Sequence, residues 1–154
     1  MKILICIFML FLLPIGCKFV CKDDFVIESD EKSLLEYSEL LGQWVLKYPQ
    51  NYGYEFIFSD DYNAEITLNL NTAIIKFKGK FLLEDNRRIR IFLSEMMQKD
   101  EITHGNKFML EDSYFLFNGR IIKSETLVLN PISIITHGRN SDGYFEPQIR
   151  LKKQ

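Results

Sequence analysis

The residues that could support acid–base or metal chemistry are few and scattered in this chain of 154 residues. Its two histidines, His104 and His137, each precede a glycine and show no metal-ligand spacing. Paired carboxylates occur at expected turns or near the N-terminus, as Asp23-Asp24, Asp60-Asp61 and Glu84-Asp85, which ordinary turn chemistry explains. Nucleophile-elbow and phosphate-loop motifs are missing from the sequence. We therefore expect no catalytic residues, no metal, no cofactor and no enzymatic activity.

The first sixteen residues have the features of a secretory signal peptide. A cationic Met1-Lys2 start precedes an apolar run, 3–13, and the small residue Gly16 follows shortly after. The run is too short for a membrane-spanning helix, which needs about 20 residues. We expect residues 1–16 to be removed.

Leu13-Pro14-Ile15-Gly16-Cys17 resembles a bacterial lipobox. The resemblance implies that Cys17 becomes the first residue and carries a thioether-linked diacylglycerol and an amide-linked fatty acid such as palmitate. Because each buried CH₂ contributes about 0.8 kcal/mol, several chains give stable membrane anchoring. This predicts a lipid-anchored protein of the bacterial cell envelope, on either membrane. Ordinary cleavage near Gly16 is the alternative and would give a secreted protein.

The fate of Cys21 depends on the same choice. If Cys17 is acylated, Cys21 is unpaired and could bond another chain. If Cys17 is free, a small Cys17–Cys21 loop is possible.

Composition favours a single β-rich domain behind this leader. Hydrophobic residues make up 47% of the chain, and 18 isoleucines against two alanines are poor material for a helical bundle. The formal net charge of -2 argues against nucleic acid as a partner. We expect a signal peptide over 1–16, a lipidated tether over 17–31 and one β-barrel domain over 32–154.

Periodicity predicts the elements of that domain. The apolar spacing from Asp30 to Leu41 indicates a helix of two or three turns that ends at Gly42. Alternating apolar and polar residues then predict antiparallel strands around residues 43–48, 54–58, 65–70, 73–84 and 88–93.

The second half is less regular, and its elements are predicted from turn residues. We expect a polar loop over 97–106 and then a strand over Lys107–Phe117, closed by a turn at Asn118-Gly119. A short strand over Leu127–Leu129 should stop at Asn130-Pro131. After a loop over 137–143, we expect a last strand over Gln148–Lys152 with Ile149 and Leu151 inward. About eight strands result, which can close into an all-β up-and-down barrel whose interior is filled or holds one small ligand.

Gly79 lies in the middle of the longest predicted strand, Ala73–Glu84. Glycine inside a strand often marks a bulge or a bend. We expect the first half of this strand to pair mainly with the preceding strand and its second half with the following one. A side chain at Gly79 would crowd the interior beside Phe77 and Phe81.

Leu41-Gly42-Gln43-Trp44 resembles the Gly-x-Trp opening of lipocalin-like (calycin-type) barrels. Further matches to small bacterial lipocalin-like lipoproteins are Glu55–Asp60, Thr126–Leu129 and Ile149–Lys152. The resemblance implies a short N-terminal helix, a barrel closed beneath Trp44, and a basic residue of the last strand, Arg150 or Lys152, beside the indole.

The inward-facing positions suggest what the barrel holds. We expect them to include Trp44, Tyr48, Tyr54, Phe56, Phe58, Phe77 and Phe81. Such bulk allows only a narrow apolar pocket, whose candidate residues are Trp44, Tyr54, Phe56, Phe77, Phe81 and Ile91. The expected function is a non-enzymatic, membrane-anchored lipoprotein that binds a small apolar ligand or a partner. The alternative is a surface or envelope interaction protein with a completely filled barrel.

Basic residues form a stripe on the outer face, at Lys76, Lys78, Lys80, Arg88 and Arg90. Such a stripe could meet anionic lipid headgroups or a polyanion, although a solvated strand face is the commoner explanation.

Overall fold

The computed structural model describes residues 31–32, 34–100 and 105–154. The predicted signal peptide, the tether through residue 30 with Cys17 and Cys21, and His104 lie outside these residues. In the described ranges, no helix is long and apolar enough to cross a membrane.

One antiparallel sheet, closed on itself, dominates the described chain. Its strands are β1 (Glu31–Lys32), β2 (Gly42–Lys47), β3 (Tyr52–Phe58), β4 (Asn63–Leu70), β5 (Ala73–Glu84), β6 (Arg88–Asp100), β7 (Asn106–Met109), β8 (Tyr114–Ile122), β9 (Thr126–Thr136), β10 (Arg139–Asn140) and β11 (Ile149–Lys153). The barrel order is β2-β3-β4-β5-β6-β8-β9-β11, and β11 pairs with β2 again. The predicted eight-stranded up-and-down barrel is confirmed, and it is consistent with a lipocalin-like fold.

Alternation decides which side chains enter the barrel. Successive residues of a strand point to opposite faces. In β5, Phe77 and Phe81 are buried, whereas Lys78, which directly follows Phe77, is exposed. In β11, Ile149 and Leu151 are buried, as predicted.

The helix α1, Tyr37–Leu40, is shorter than the helix predicted from Asp30 to Leu41. The amide of Leu35 donates a 2.7 Å hydrogen bond to the carbonyl of Asn86, in the turn between β5 and β6. Leu35 therefore lies before the helix with its side chain in the core. Gly42 follows the helix with a φ of +116°, a conformation that favours glycine.

We name the barrel's two ends by what lies there. The helix end carries α1 and the turns at 59–62, 85–87 and 123–125, and the loop end carries the turns at 48–51 and 71–72 and the segment 141–148. A short 3₁₀ helix, Asp142–Tyr144, lies within that segment.

The polar loop predicted over 97–106 is wrong in part. The strand β6 continues into it, and β7 pairs back on β6. A break at 110–113 separates β7 from β8, so the single strand predicted over Lys107–Phe117 is two strands. Met97 and Met109 are exposed, at 41% and 65%, so the residues here do not alternate clearly between apolar and polar.

Asn118-Gly119 is not a turn, and β8 passes through it to Ile122. A Cβ at Gly119 would lie 3.0 Å from the Cδ1 of Ile89 and 3.1 Å from the Cδ1 of Leu35. The glycine therefore serves core packing, which explains why the predicted turn was wrong.

Asn130-Pro131 does not stop its strand either, and the short strand predicted over Leu127–Leu129 is part of the longer β9. The register shifts between Leu116 and Phe117, directly opposite this proline. A bulge tolerates a proline that has no N–H to donate to a ladder. The predicted loop 137–143 contains the short strand β10.

Gly79 lies at a register shift between β5 and β6. Lys78 pairs with Glu95 and Gly79 pairs with Leu93, which leaves Ser94 as the extra residue. The strand's second half pairs mainly with β6, as predicted. Its first half pairs with both neighbours, so that part of the prediction was wrong.

The reason for a glycine at this position also differs from the prediction. A Cβ on Gly79 would lie 1.9 Å from the carbonyl oxygen of Phe92, on the backbone of β6. The obstacle is therefore the neighbouring strand, and not crowding beside Phe77 and Phe81.

Candidate functional site

The six predicted pocket residues all lie in the barrel interior. Each has a relative exposure of 3% or less: Trp44, Tyr54, Phe56, Phe77, Phe81 and Ile91. Ring contacts place the phenylalanines among them in two groups, which are joined by Phe56 and Phe58, whose ring centroids lie 6.3 Å apart. Towards the helix end, Phe81 lies 5.0 Å from Phe58 and 5.5 Å from Tyr37, measured between ring centroids. Phe56 and Phe77 belong to a second group, together with rings that were not among the predicted pocket residues.

That second group is centred on Phe145, in the segment 141–148. Its ring centroid lies 5.1 Å from that of Phe115, 5.2 Å from Phe117 and 6.1 Å from Phe56. The preceding residue, Tyr144, lies 5.5 Å from Phe77. Phe145 thus fills the interior among the predicted pocket residues, and the partly buried Tyr144 packs against them.

Sequence reasoning missed Tyr144 and Phe145 because they belong to no periodic segment. The one available signal was an aromatic pair inside an otherwise polar stretch, residues 137–148. Large apolar side chains in such a loop gain most by packing into a core.

Tyrosines line the loop end beside this aromatic group. Tyr54 is buried, and its hydroxyl lies 3.0 Å from that of Tyr52. Burial and this hydrogen bond raise the pKa of Tyr54 above its ordinary value. Tyr48, predicted to face inward, is 38% exposed at the rim, because the strand ends before it. Its hydroxyl donates a 2.9 Å hydrogen bond to Oε2 of Glu146.

At the helix end, Trp44 is fully buried and its Nε1 donates a 2.7 Å hydrogen bond to the carbonyl of Leu40. The basic residue beside the indole is Lys153, whose Nζ lies 5.0 Å from the ring centroid. The prediction of Arg150 or Lys152 was wrong, because alternation along β11 turns both away from Trp44.

Carboxylates accompany the predicted basic stripe. The Nζ of Lys78 lies 2.9 Å from Oε1 of Glu65, and the Nε of Arg90 lies 2.6 Å from Oε1 of Glu84. Arg88 forms an ion pair with Asp85 in the adjoining turn. Local pairing of this kind weakens the field that a polyanion would meet.

A metal centre does not emerge from the described parts of the chain. No three His, Cys, Asp or Glu side chains among those residues could hold one metal ion. His137 is exposed on the turn after β9, and its backbone amide donates a 2.8 Å hydrogen bond to Oγ of Ser113.

Comparisons with known proteins identify no relative. No family model, curated protein or solved structure matches the chain.

Proposed function

We propose that this chain is a non-enzymatic lipoprotein of the bacterial cell envelope, anchored through acylated Cys17. In this proposal the lipocalin-like barrel is a filled scaffold that binds a partner through its outer surface. The cationic start, the apolar run over 3–13 and the lipobox-like residues before Cys17 support the anchor.

The insertion of Phe145 is the observation that carries the filled-scaffold proposal. Its ring packs against aromatic rings from two barrel strands, those of Tyr54 and Phe56 in β3 and of Phe115 and Phe117 in β8. An apolar ligand of ordinary size would have to displace this ring and Tyr144. Because aromatic pairs contribute about 0.5–1.5 kcal/mol each beyond burial, displacement is costly.

The position of β1 supports an arrangement relative to the membrane. Glu31 pairs with Ile122, next to the turn 123–125 at the helix end. A tether from Cys17 to Glu31 therefore joins the barrel at the helix end and extends at most about 50 Å. The loop end then remains accessible to a partner.

Acylation is tested with the full chain expressed in a bacterium that is fed a labelled fatty acid. Cys17→Ser should abolish labelling and release the protein from membranes, while the matched variant Cys21→Ser keeps both. Labelling that survives Cys17→Ser would overturn the anchor. Processed but unlabelled wild-type protein would indicate secretion instead.

The filled interior is tested by titration with a fluorescent apolar probe. The wild-type protein should show no stoichiometric, displaceable binding. Phe145→Ala should create a cavity and gain such binding. Phe92→Ala is the matched control, because Phe92 is 50% exposed on the outer wall. Stoichiometric binding by the wild-type protein would contradict the filled scaffold and support a carrier of a small apolar ligand.

A further inference from the structure

A cleft of about 350 Å³ opens on the outer wall at the loop end. It lies where the turns at 48–51 and 71–72 come together, and its lining residues are Lys47, Tyr48, Asn51, Tyr52, Asn69, Asn71, Ala73 and Ile74. None of the six predicted pocket residues lines this cleft.

Four polar side chains of the cleft are unused by the fold. Those of Lys47, Asn51, Asn69 and Asn71 make no hydrogen bond or ion pair with any residue in the described ranges. Three of them are amides, each of which can donate and accept hydrogen bonds at once. They are therefore available to a ligand that offers both donors and acceptors.

Two tyrosine rings in the same cleft are held in fixed positions. Tyr48 and Tyr52 stack with ring centroids 5.5 Å apart and planes 29° apart. The hydroxyl of Tyr48 is bound to Glu146 and that of Tyr52 lies against Tyr54. Because these bonds already restrict the rings, the tyrosine side chains lose little further entropy when a ligand packs on the exposed Tyr48.

The strand pairing places a glycine between two of the cleft's polar residues, Lys47 and Asn69. Gly53 pairs with Lys47 on one side and with Asn69 on the other. A Cβ at Gly53 would lie 2.1 Å from the carbonyl oxygen of Leu46. The pairing therefore requires a glycine here, which leaves no side chain between Lys47 and Asn69.

We propose that this cleft binds an oligosaccharide. A sugar ring has an apolar C–H face that packs on an aromatic ring, and a rim of hydroxyl groups that both donate and accept hydrogen bonds. An aromatic surface ringed by amides matches that pattern. A purely apolar ligand would remove water from the amides and Lys47 without replacing the hydrogen bonds that these groups make to water. A simple anion would find a single cation, Lys47, among the cleft residues.

The proposal goes beyond the filled-scaffold function and depends on neither the lipid anchor nor the barrel interior. Its test uses the full mature chain on an array of oligosaccharides that covers neutral, N-acetylated and acidic sugars. Soluble tetrasaccharide of the best-bound class is then titrated by calorimetry. The proposal expects at least one class to bind, and an array with no bound class would overturn it.

Variants then locate the binding. Tyr48→Ala and Asn69→Ala should each weaken binding about tenfold or more, because each removes a packing surface or a hydrogen-bonding group. Tyr62→Ala and Asn118→Ala are the matched controls, since both residues are exposed and lie away from the cleft. Thermal melts of every variant separate lost binding from lost folding. Folded cleft variants that bind like the wild-type protein, or controls that lose binding equally, would overturn the proposal.

Discussion

The Nζ of Lys153 lies 5.0 Å from the ring centroid of Trp44, its direct partner across β11 and β2. The same Nζ donates a 3.1 Å hydrogen bond to the carbonyl of Glu39, in α1. The indole Nε1 of Trp44 in turn donates a hydrogen bond to the carbonyl of Leu40, also in α1. One cation thus connects the last strand, the first barrel strand and the helix.

Lys153→Ala should lower the free energy of unfolding by about 1–2.5 kcal/mol. The variant loses an exposed cation–π contact, about 0.5–1 kcal/mol, and one hydrogen bond of about 0.5–1.5 kcal/mol. Urea denaturation measures the change. Arg150→Ala, an exposed cation of the same strand, should stay within about 0.5 kcal/mol of the wild-type protein. Equal losses would show that Lys153 has no special role at the helix end.

This relationship also shows where sequence reasoning succeeded and where it stopped. Alternation from Ile149 and Leu151 leads to Lys153 as the next inward residue, but the predicted strand ended one residue earlier. The bounds of β5 were predicted correctly because its residues alternate between apolar and polar and because turn residues, Asn71-Thr72 and Asp85-Asn86, flank both ends. Phe145 could not be placed, because a loop has no period and its position depends on contacts with distant strands.

Gly79→Ala should destabilise the fold by about 2–4 kcal/mol, and Gly79→Val by at least as much. The added Cβ would lie 1.9 Å from the carbonyl oxygen of Phe92, so the backbone of β5 or β6 must shift. Valine's better strand propensity does not remove this overlap. Chemical denaturation gives the change.

Gly143→Ala is the matched control for this prediction. A Cβ there has no atom within 4 Å, so the change should stay within about 0.5 kcal/mol. A Gly79→Ala protein as stable as this control would mean that the bulge between β5 and β6 does not require glycine.

The two faces of the sheet should respond differently to truncation. Phe56→Ala and Phe77→Ala should each cost about 3–5 kcal/mol, because both rings are fully buried. Lys76→Ala should stay within about 0.5 kcal/mol, and Glu55→Ala, which loses a hydrogen bond from Gln43 at the surface, should cost little more. Similar losses on both faces would contradict the register of β3 and β5.

Stability should fall at alkaline pH, in part through Tyr54. Burial raises the pKa of its phenol above the ordinary value of about 10, so the folded protein keeps a proton that the unfolded chain releases. The stabilisation is complete below about pH 10 and is lost as pH rises above it, with a slope of up to about 1.4 kcal/mol per pH unit from this group.

Tyr54→Phe should therefore reduce the loss of stability above pH 10. At neutral pH the variant should cost about 0.5–1.5 kcal/mol, because the hydroxyl of Tyr52 loses its partner. Denaturant titrations from pH 8 to 11 measure both effects. The position of Tyr54 between Tyr52 and Phe145 indicates a buried phenol that keeps its proton in the folded protein. If Tyr54→Phe and the wild-type protein lost stability in parallel above pH 10, this conclusion would be wrong.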